Sequence, residues 1–285
     1  MYQDYEMGII KLCDAPSDNE ARGPTFKSGP ALPIIMEAVL FDLGHTLIDY
    51  YCDWKNTERR GVDRIYALVS EISPAPVDQT EFTAFLLQLL ERARDAKAKT
   101  LVEIPLAEIM GQCLDRYGCL DETNLQESLE IFYGVLLEER TLVPGAKELL
   151  ESIKERGLVV GLISDVAWGL PSEFPLRDLQ HFGLEQYFDD MVFSTDVGLR
   201  KPHPKIFKIA LSNLGVSASR SVYIGNSLRQ DIKGAKGVGM RAVLKRSIHC
   251  PYEEGVVPDH SISSLEEVLE IIDQGDVCRN QRARK

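Results

Sequence analysis

The sequence lacks the patterns that mark several large classes of protein. Its six cysteines form no Cys-x-x-Cys pair and have no histidine at zinc-finger spacing. No apolar run approaches the ~20 residues that a membrane-spanning helix needs, and the chain does not begin with the basic and then apolar pattern of a signal peptide. The simplest interpretation is a cytoplasmic protein whose thiols are free in a reducing compartment.

Basic residues are scarce relative to acidic ones. The chain has 32 Lys and Arg against 44 Asp and Glu, a formal net charge of −12. Nucleic acids and anionic membranes bind to basic surfaces, so neither is expected as the main partner. A small phosphorylated substrate remains compatible, because a pocket can be locally positive inside an acidic protein. The 285 residues, 44% hydrophobic and 27% charged, suit a globular protein of one large or two modest domains.

An apolar run that ends in an acid is the most informative stretch of the chain. Ala38–Phe41 is rich in residues that favour a strand buried on both faces of a parallel sheet. Asp42 follows at the carboxyl end of this strand, where open α/β sheets carry their active sites. Gly44 then permits a tight turn. A surface aspartate that caps a turn is the alternative that this run alone leaves open.

The rest of the chain combines an α/β pattern with a helical segment. Apolar runs predict strands at 158–164, 190–194, 221–225 and 239–244, and helices at 144–156, 206–214 and 264–272. This alternation predicts a parallel sheet with right-handed crossovers. Four helical patterns fall between the first two strands, at about 54–72, 79–98, 104–117 and 122–139. Residues 166–181, which contain Pro171 and Pro175, are expected to form a loop beside the active site.

Four short motifs occur in order along the chain: Asp42 after the first strand, Ser164 at the end of the second, Lys201 in Lys-Pro-His-Pro, and Gly225-Asn226-Ser227 followed by Asp231 and Ile-Lys-Gly-Ala. Over roughly residues 36–245 they closely resemble the motifs of the haloacid dehalogenase-like (HAD) hydrolases. The resemblance implies a Rossmann-like, doubly wound parallel sheet with the Asp42 strand in the centre. It places that strand between the strands ending at Ser164 and Gly225, so that the motifs meet at one crevice.

The resemblance also divides the chain into parts. Residues 36–51 and 141–275 would form the core, and residues 52–140 a C1-type cap of four helices that closes over the active site and supplies specificity. An independent helical domain is less favoured, because both ends of the insert return to the same sheet. Residues 1–35, rich in Pro, Gly, Ser and charge, are expected to be a disordered or mis-called extension before a natural start at Met36. Residues 276–285 are expected to be a solvated basic tail.

The resemblance assigns phosphoryl-transfer roles to three residues. Asp42 would be the nucleophile that forms an aspartyl-phosphate, and Ser164 would hydrogen-bond a phosphoryl oxygen. Lys201 precedes a proline and therefore lies outside a helix interior, where it could pair with Asp42 and the phosphate. The alternatives are a helix N-cap for Ser164 and a solvated surface charge for Lys201. Three further candidates for the substrate pocket are His45, Asp165 and Trp168, the last equally open to a packing role.

The motifs depart from the family pattern at two positions. The family holds Mg²⁺ with groups that correspond here to Asp42, the Gly44 carbonyl, Asn226 and Asp231. An amide at Asn226 contributes no charge, so Mg²⁺ is expected to bind weakly. Family phosphatases usually carry a second aspartate, a general acid, where this chain has Gly44. His45 is adjacent but is favoured as a structural or pocket-lining residue, so a preference for good leaving groups such as acyl or aryl phosphates is expected.

Three functions follow from the resemblance and its departures. A phosphatase (a hydrolase of phosphate esters) acting on a small phosphorylated metabolite is favoured. A metal-independent hydrolase of the 2-haloacid dehalogenase type suits both departures, although no halide-binding arginine is evident near the nucleophile turn. A catalytically impaired member that binds a phosphorylated ligand or a protein partner is the third.

Overall fold

The computed structural model describes residues 36–50, 53–138, 140–247 and 256–280. The predicted extension over residues 1–35 lies outside these ranges and stays a prediction. Among the helices within the described ranges, none combines the length and apolar character needed to cross a membrane.

The strands form one parallel sheet and one small antiparallel ribbon. In chain order they are β1 (Ala38–Phe41), β2 (Ile48–Tyr50), β3 (Arg140–Leu142), β4 (Val159–Ser164), β5 (Asp190–Phe193), β6 (Ser221–Gly225), β7 (Arg241–Lys245) and β8 (His260–Ile262). The six-stranded sheet has the order β5-β4-β1-β6-β7-β8. Its strands are parallel throughout, and β1 pairs with β4 on one side and β6 on the other. The predicted central position of the Asp42 strand is confirmed.

The described helices, in chain order, are α1 (Trp54–Ile72), α2 (Gln79–Thr100), α3 (Leu106–Arg116), α4 (Glu122–Leu137), α5 (Ala146–Glu155), α6 (Glu173–His181), α7 (Ser194–Val197), α8 (Pro204–Leu214), α9 (Lys233–Gly237) and α10 (Glu267–Asn280). Helices that follow β3 in the chain cover both faces of the six-stranded sheet. Successive residues of β1 enter different cores: Val39 and Phe41 pack with α5, α6 and α10, whereas Ala38 and Leu40 pack with α8 and α9. A strand buried on both faces reads as an unbroken apolar run, and the doubly wound α/β fold is confirmed.

The four predicted helices between the first two core strands are present as α1–α4, which we call the cap helices. Three of them begin after an aspartate, Asp53, Asp78 or Asp121, whose carboxylate accepts a hydrogen bond from a first-turn N–H. The apolar stripes then pack α1 against α2 and α4, and α3 against α4. The chain enters and leaves this layer through the β2–β3 ribbon, where Tyr50 lies opposite Arg140. The ribbon strands have three residues each, too few for periodicity to reveal them.

One prediction along the chain is wrong in part, and another is left as a prediction. Part of the expected loop at 166–181 is the helix α6, because Pro175 lies in its first turn, where backbone N–H groups have no helical acceptor. The predicted closing helix is present as α10, which continues to Asn280, and the solvated basic tail over residues 276–285 stays a prediction. Residues 281–285 lie outside the described ranges.

Candidate active site

The turn after β1 fixes the carboxylate of Asp42 at the edge of the sheet. The backbone N–H of Asp42 donates to the Ile224 carbonyl at 2.9 Å, which continues the pairing of β1 with β6. The chain then folds back, so that the Leu43 carbonyl accepts from Leu47 N–H at 2.9 Å. This return brings Thr46 Oγ1 to 3.1 Å from Asp42 Oδ2, to which it donates. Asp42 is only 7% exposed, and its carboxylate is therefore both buried and oriented.

The Lys201 ammonium lies between two carboxylates. Its Nζ is 2.5 Å from Asp42 Oδ1 and 2.8 Å from Asp231 Oδ1. It also donates to the Ile163 carbonyl at 3.0 Å and lies 3.1 Å from the Tyr223 hydroxyl. A buried ammonium needs such partners, because an unpaired charge in the interior is very costly. The surface-charge alternative for Lys201 is excluded, since the residue is only 3% exposed.

The electrostatics of this group leave one negative charge unbalanced. Burial lowers the pKa of Lys201, but Asp231 and Asp42 outweigh it, and the pKa lies well above its usual 10.5. Burial also raises the pKa of Asp42 above its usual 3.8, with Asp231 acting in the same direction and Lys201 opposing. Two carboxylates face one ammonium, so the site can accept an additional cation.

Asp231 is held by the turn that follows β6. Its Oδ2 accepts from the Ser227 N–H at 2.9 Å, and its Oδ1 lies 3.3 Å from the Tyr223 hydroxyl. A Cβ on Gly225 would lie 2.4 Å from Asp231 Cγ. Glycine is therefore required at the end of β6, because any side chain would push the Asp231 carboxylate away from Lys201.

The structure gathers all but one of the sequence-predicted site residues around one cavity of about 310 Å³. Those that line it are Asp42, Gly44, His45, Ser164, Asp165, Lys201, Asn226 and Asp231. His45 Nδ1 pairs with Asp49 Oδ1 at 3.4 Å, which agrees with a structural or pocket-lining place. Asp165 Oδ1 accepts from the Lys201 N–H at 3.0 Å, so this carboxylate holds the turn that carries the lysine.

Trp168 is the exception, and its contacts agree with the packing role that the sequence left open. Its Nε1 donates to Glu58 Oε2 at 3.0 Å, and its ring meets Phe132 edge-on at 5.2 Å. It lines a neighbouring cavity of about 330 Å³. The single 3-10 turn Ala167–Gly169 is the reason, because it places Ala167 at the active-site cavity and Trp168 against the cap helices.

Sequence reasoning missed Tyr223 and Thr46, which contact Lys201 and Asp42 respectively. Tyr223 is fully buried in β6, and its hydroxyl donates to the Ile163 carbonyl at 3.0 Å. A tyrosine inside a strand buried on both faces needs a partner for its hydroxyl, and this signal was available in the sequence. Thr46 offered no such signal, because its contact depends on the turn.

The groups that could hold Mg²⁺ are all oxygen donors, as Mg²⁺ prefers, but only two of them are charged. Asp42, Asp231, the Gly44 carbonyl and the Asn226 amide offer the oxygen ligands that Mg²⁺ prefers, and the unbalanced carboxylate supplies the charge. Within the described part of the chain, however, no group of three or more His, Cys, Asp or Glu side chains is arranged around a common metal position. The residues are therefore compatible with a weakly bound Mg²⁺.

A family model described as haloacid dehalogenase-like hydrolase matches residues 36–239. With the parallel sheet and the residues at its carboxyl edge, this shows that the chain belongs to the haloacid dehalogenase-like hydrolases. The resemblance drawn from the four motifs is confirmed.

Three similar proteins place the chain within this family. It is 32% identical over 155 residues to the ribulose-1,5-bisphosphate 5-phosphatase of Halopiger xanaduensis, a match that covers 50% of this chain and 62% of that protein. It is 34% identical over 156 residues to the glyceraldehyde 3-phosphate phosphatase of Methanocaldococcus jannaschii, covering 54% and 67%. The chain thus spans about two thirds of the length of these relatives. The crystal structure of a HAD phosphatase from Thermococcus onnurineus has a TM-score of 0.59 at 26% identity, covering 83% of this chain and 98% of that one.

Proposed function

We propose that this chain is a phosphatase that hydrolyses a small phosphorylated metabolite through a phosphoryl group carried on Asp42. The observation that supports it is the contact of Lys201 Nζ with both Asp42 and Asp231 at the floor of the cavity. The curated relatives named above are phosphatases by description. A cap role for residues 52–140 and a cytoplasmic location belong to the same proposal.

The reaction follows from the placement of these groups. A carboxylate oxygen of Asp42 attacks phosphorus, the bond from phosphorus to the ester oxygen breaks, and the electron pair leaves on that oxygen. Water then attacks the phosphorus of the aspartyl-phosphate, which releases inorganic phosphate and restores the carboxylate. Lys201 neutralises charge beside the attacking carboxylate, and Ser164 lies at the cavity to donate to a phosphoryl oxygen.

The reaction also needs further charge neutralisation and a proton for the leaving oxygen, and both come from outside the chain. Asp42, the Gly44 carbonyl, Asn226 and Asp231 would hold Mg²⁺, which supplies further charge neutralisation when bound. Gly44 carries no proton donor, so the leaving oxygen takes its proton from solvent.

The test is hydrolysis of acetyl phosphate and of a panel of small phosphate esters, with and without Mg²⁺. Asp42→Asn should lower turnover by at least about a thousandfold, because it removes the nucleophile. Asp63→Asn is the matched control, since Asp63 lies on an exposed face of α1 where it pairs with Arg59. Unchanged phosphate release by Asp42→Asn would refute the proposal.

A second candidate is metal-independent dehalogenation of a 2-halo acid. It is favoured by Arg200, which lines the cavity and was not expected there. Chloride release from 2-chloropropionate in the presence of chelator, without phosphate release from any ester, would establish it. A catalytically impaired ligand-binding protein would release neither product.

A further inference from the structure

The cavity lining divides into two chemically different parts. The ionic part consists of the strand ends described above. The other part, which we call the chamber, is lined by Tyr50, Tyr133, Leu136, Ala167, Leu170 and Phe174. Its residues come from the ribbon, the cap helix α4, the turn after β4 and the helix α6. Since the nucleophile lies in the ionic part, a phosphoryl group bound there would direct its leaving group into the chamber.

The tyrosine hydroxyls of the chamber donate hydrogen bonds to a buried carboxylate. Asp178 is 2% exposed and accepts hydrogen bonds from the hydroxyls of Tyr50 and Tyr133, both at 2.7 Å. It also accepts from Arg140 Nη1. With both phenolic protons directed at Asp178, these tyrosines present mainly their ring carbons to a ligand.

No described residue that lines the chamber is a cation. The two cations of the cavity, Arg200 and Lys201, belong to its ionic part. Arg140, which contacts Asp178 and the Tyr133 hydroxyl, is already paired with that carboxylate. A second phosphate or a carboxylate on the leaving group would therefore face Asp178 and would compete with it for this guanidinium. The chamber thus disfavours bisphosphates and phosphorylated acids.

Trp54 adds an aromatic surface to this cavity. It lines the cavity at the start of α1, yet it is 41% exposed. Its ring meets Trp168 edge-on at 5.5 Å and His45 at 6.4 Å, which fixes its orientation. An aromatic leaving group would cover this exposed indole and contact the rings of Tyr133 and Phe174, which lie 4.8 Å apart.

We propose that the substrate is a phosphate monoester of an uncharged phenol, that is, an aryl phosphate. This inference rests on the proposed phosphatase function and names the substrate class of the same site. It is supported independently by Gly44, because an aryl oxygen departs as a phenolate and needs no proton from the enzyme. The phosphorus–oxygen bond breaks, its electron pair stays on the aryl oxygen, and solvent protonates the phenolate afterwards.

Turnover by the unmodified chain gives the first test. Its kcat/KM for 2-naphthyl phosphate is expected to exceed the values for ribulose 1,5-bisphosphate and glyceraldehyde 3-phosphate by about tenfold or more. An equal or higher value for either polar substrate would overturn the inference while leaving the phosphatase function intact. Loss of the proposed function itself would show separately, as acetyl phosphate hydrolysis that survives Asp42→Asn.

Binding of two phosphonates gives a test that needs no turnover. Phenylphosphonate is expected to bind about tenfold tighter than methylphosphonate by calorimetry, because only the phenyl ring reaches the chamber and Trp54. Trp54→Ala should remove most of this preference. Leu120→Ala, which truncates a side chain of similar exposure (48%) between α3 and α4, should retain it. Equal affinity for the two phosphonates, or a preference unchanged by Trp54→Ala, would contradict the inference.

Discussion

Glu103, in the loop between the cap helices α2 and α3, accepts a hydrogen bond from Arg200 Nη1 at 2.5 Å, and Arg200 directly precedes Lys201. The same carboxylate accepts from Ser194 Oγ at 2.5 Å and pairs with Lys97 Nζ at 2.8 Å. Its side chain is 1% exposed. One buried carboxylate thus connects the loop between two cap helices to the segment that carries Lys201.

Replacing this carboxylate should destabilise the fold strongly. In Glu103→Gln, Arg200 and Lys97 would lose their shared buried anion, and breaking a buried pair costs about 3–5 kcal/mol of unfolding free energy. Urea unfolding followed by circular dichroism measures the change. The control is Glu81→Gln, whose ion pair with Arg116 is exposed on the cap helices, and whose loss should cost no more than about 1 kcal/mol. Equal losses in the two variants would refute the buried role of Glu103.

Glu103 should also make the free energy of unfolding depend on pH. Burial opposes ionisation of Glu103, but Arg200 and Lys97 outweigh it and hold its pKa below the usual 4.5. The folded chain therefore binds fewer protons than the unfolded chain, so this stabilisation is present above pH 4.5 and is lost as the pH falls through the lowered pKa. Urea unfolding above and below pH 4.5 measures how much unfolding free energy is lost in acid. This loss should be smaller in Glu103→Gln than in the unmodified chain. The same loss in both would contradict this prediction.

A carboxyl group at position 44 should broaden the range of leaving groups. Gly44 has no left-handed backbone, and a Cβ there would make only an ordinary contact of 3.9 Å with Tyr50 Cδ2. Gly44→Asp is expected to raise kcat for an alkyl phosphate by about tenfold or more, because general acid catalysis contributes at least that much. Gly44→Asn has nearly the same size without the acid and should give no such gain. The idea fails if both variants respond alike.

Because Gly225 lies so close to Asp231 at the end of β6, a side chain at position 225 should lower turnover. Gly225→Ala would force the Asp231 carboxylate away from Lys201, and displacements of about 1 Å at such sites cost about a hundredfold in rate. Steady-state turnover of acetyl phosphate measures this. Gly237→Ala is the control, because a Cβ at Gly237 meets nothing within 4 Å. Retention of full activity by Gly225→Ala would show that the position of Asp231 does not matter.

Replacing Asn226 by aspartate should make Mg²⁺ bind more tightly. Asn226→Asp adds a charged oxygen donor at the cavity, so half-maximal activation should need about tenfold less Mg²⁺. Titration of activity with Mg²⁺ measures this value. Asn213→Asp, on the surface of α8, adds the same charge away from the site and should leave the midpoint unchanged. An unchanged midpoint in Asn226→Asp would argue against a metal ligand at this position.

Motifs and apolar runs located most of the site in advance. Asp42 and Ser164 were recognised at strand ends and Lys201 before a proline, their roles came from the family resemblance, and the parallel order of β4, β1 and β6 brings them together. Glu103 could not be found this way. In the sequence it is one glutamate among many charged cap residues, and its burial depends on Arg200, 97 positions later.

The sequence by itself determined the strands, from local apolar runs, and through the resemblance of its four motifs to a known family it predicted the strand order and a nucleophile at Asp42. Only the tertiary structure decided the chemistry of the chamber. Tyr50, Tyr133 and Asp178 come from three separate elements, and each would be read alone as an ordinary polar or aromatic residue. Their phenolic protons are satisfied internally only because packing brings them to one carboxylate, and that contact leaves an apolar space beside a charged one.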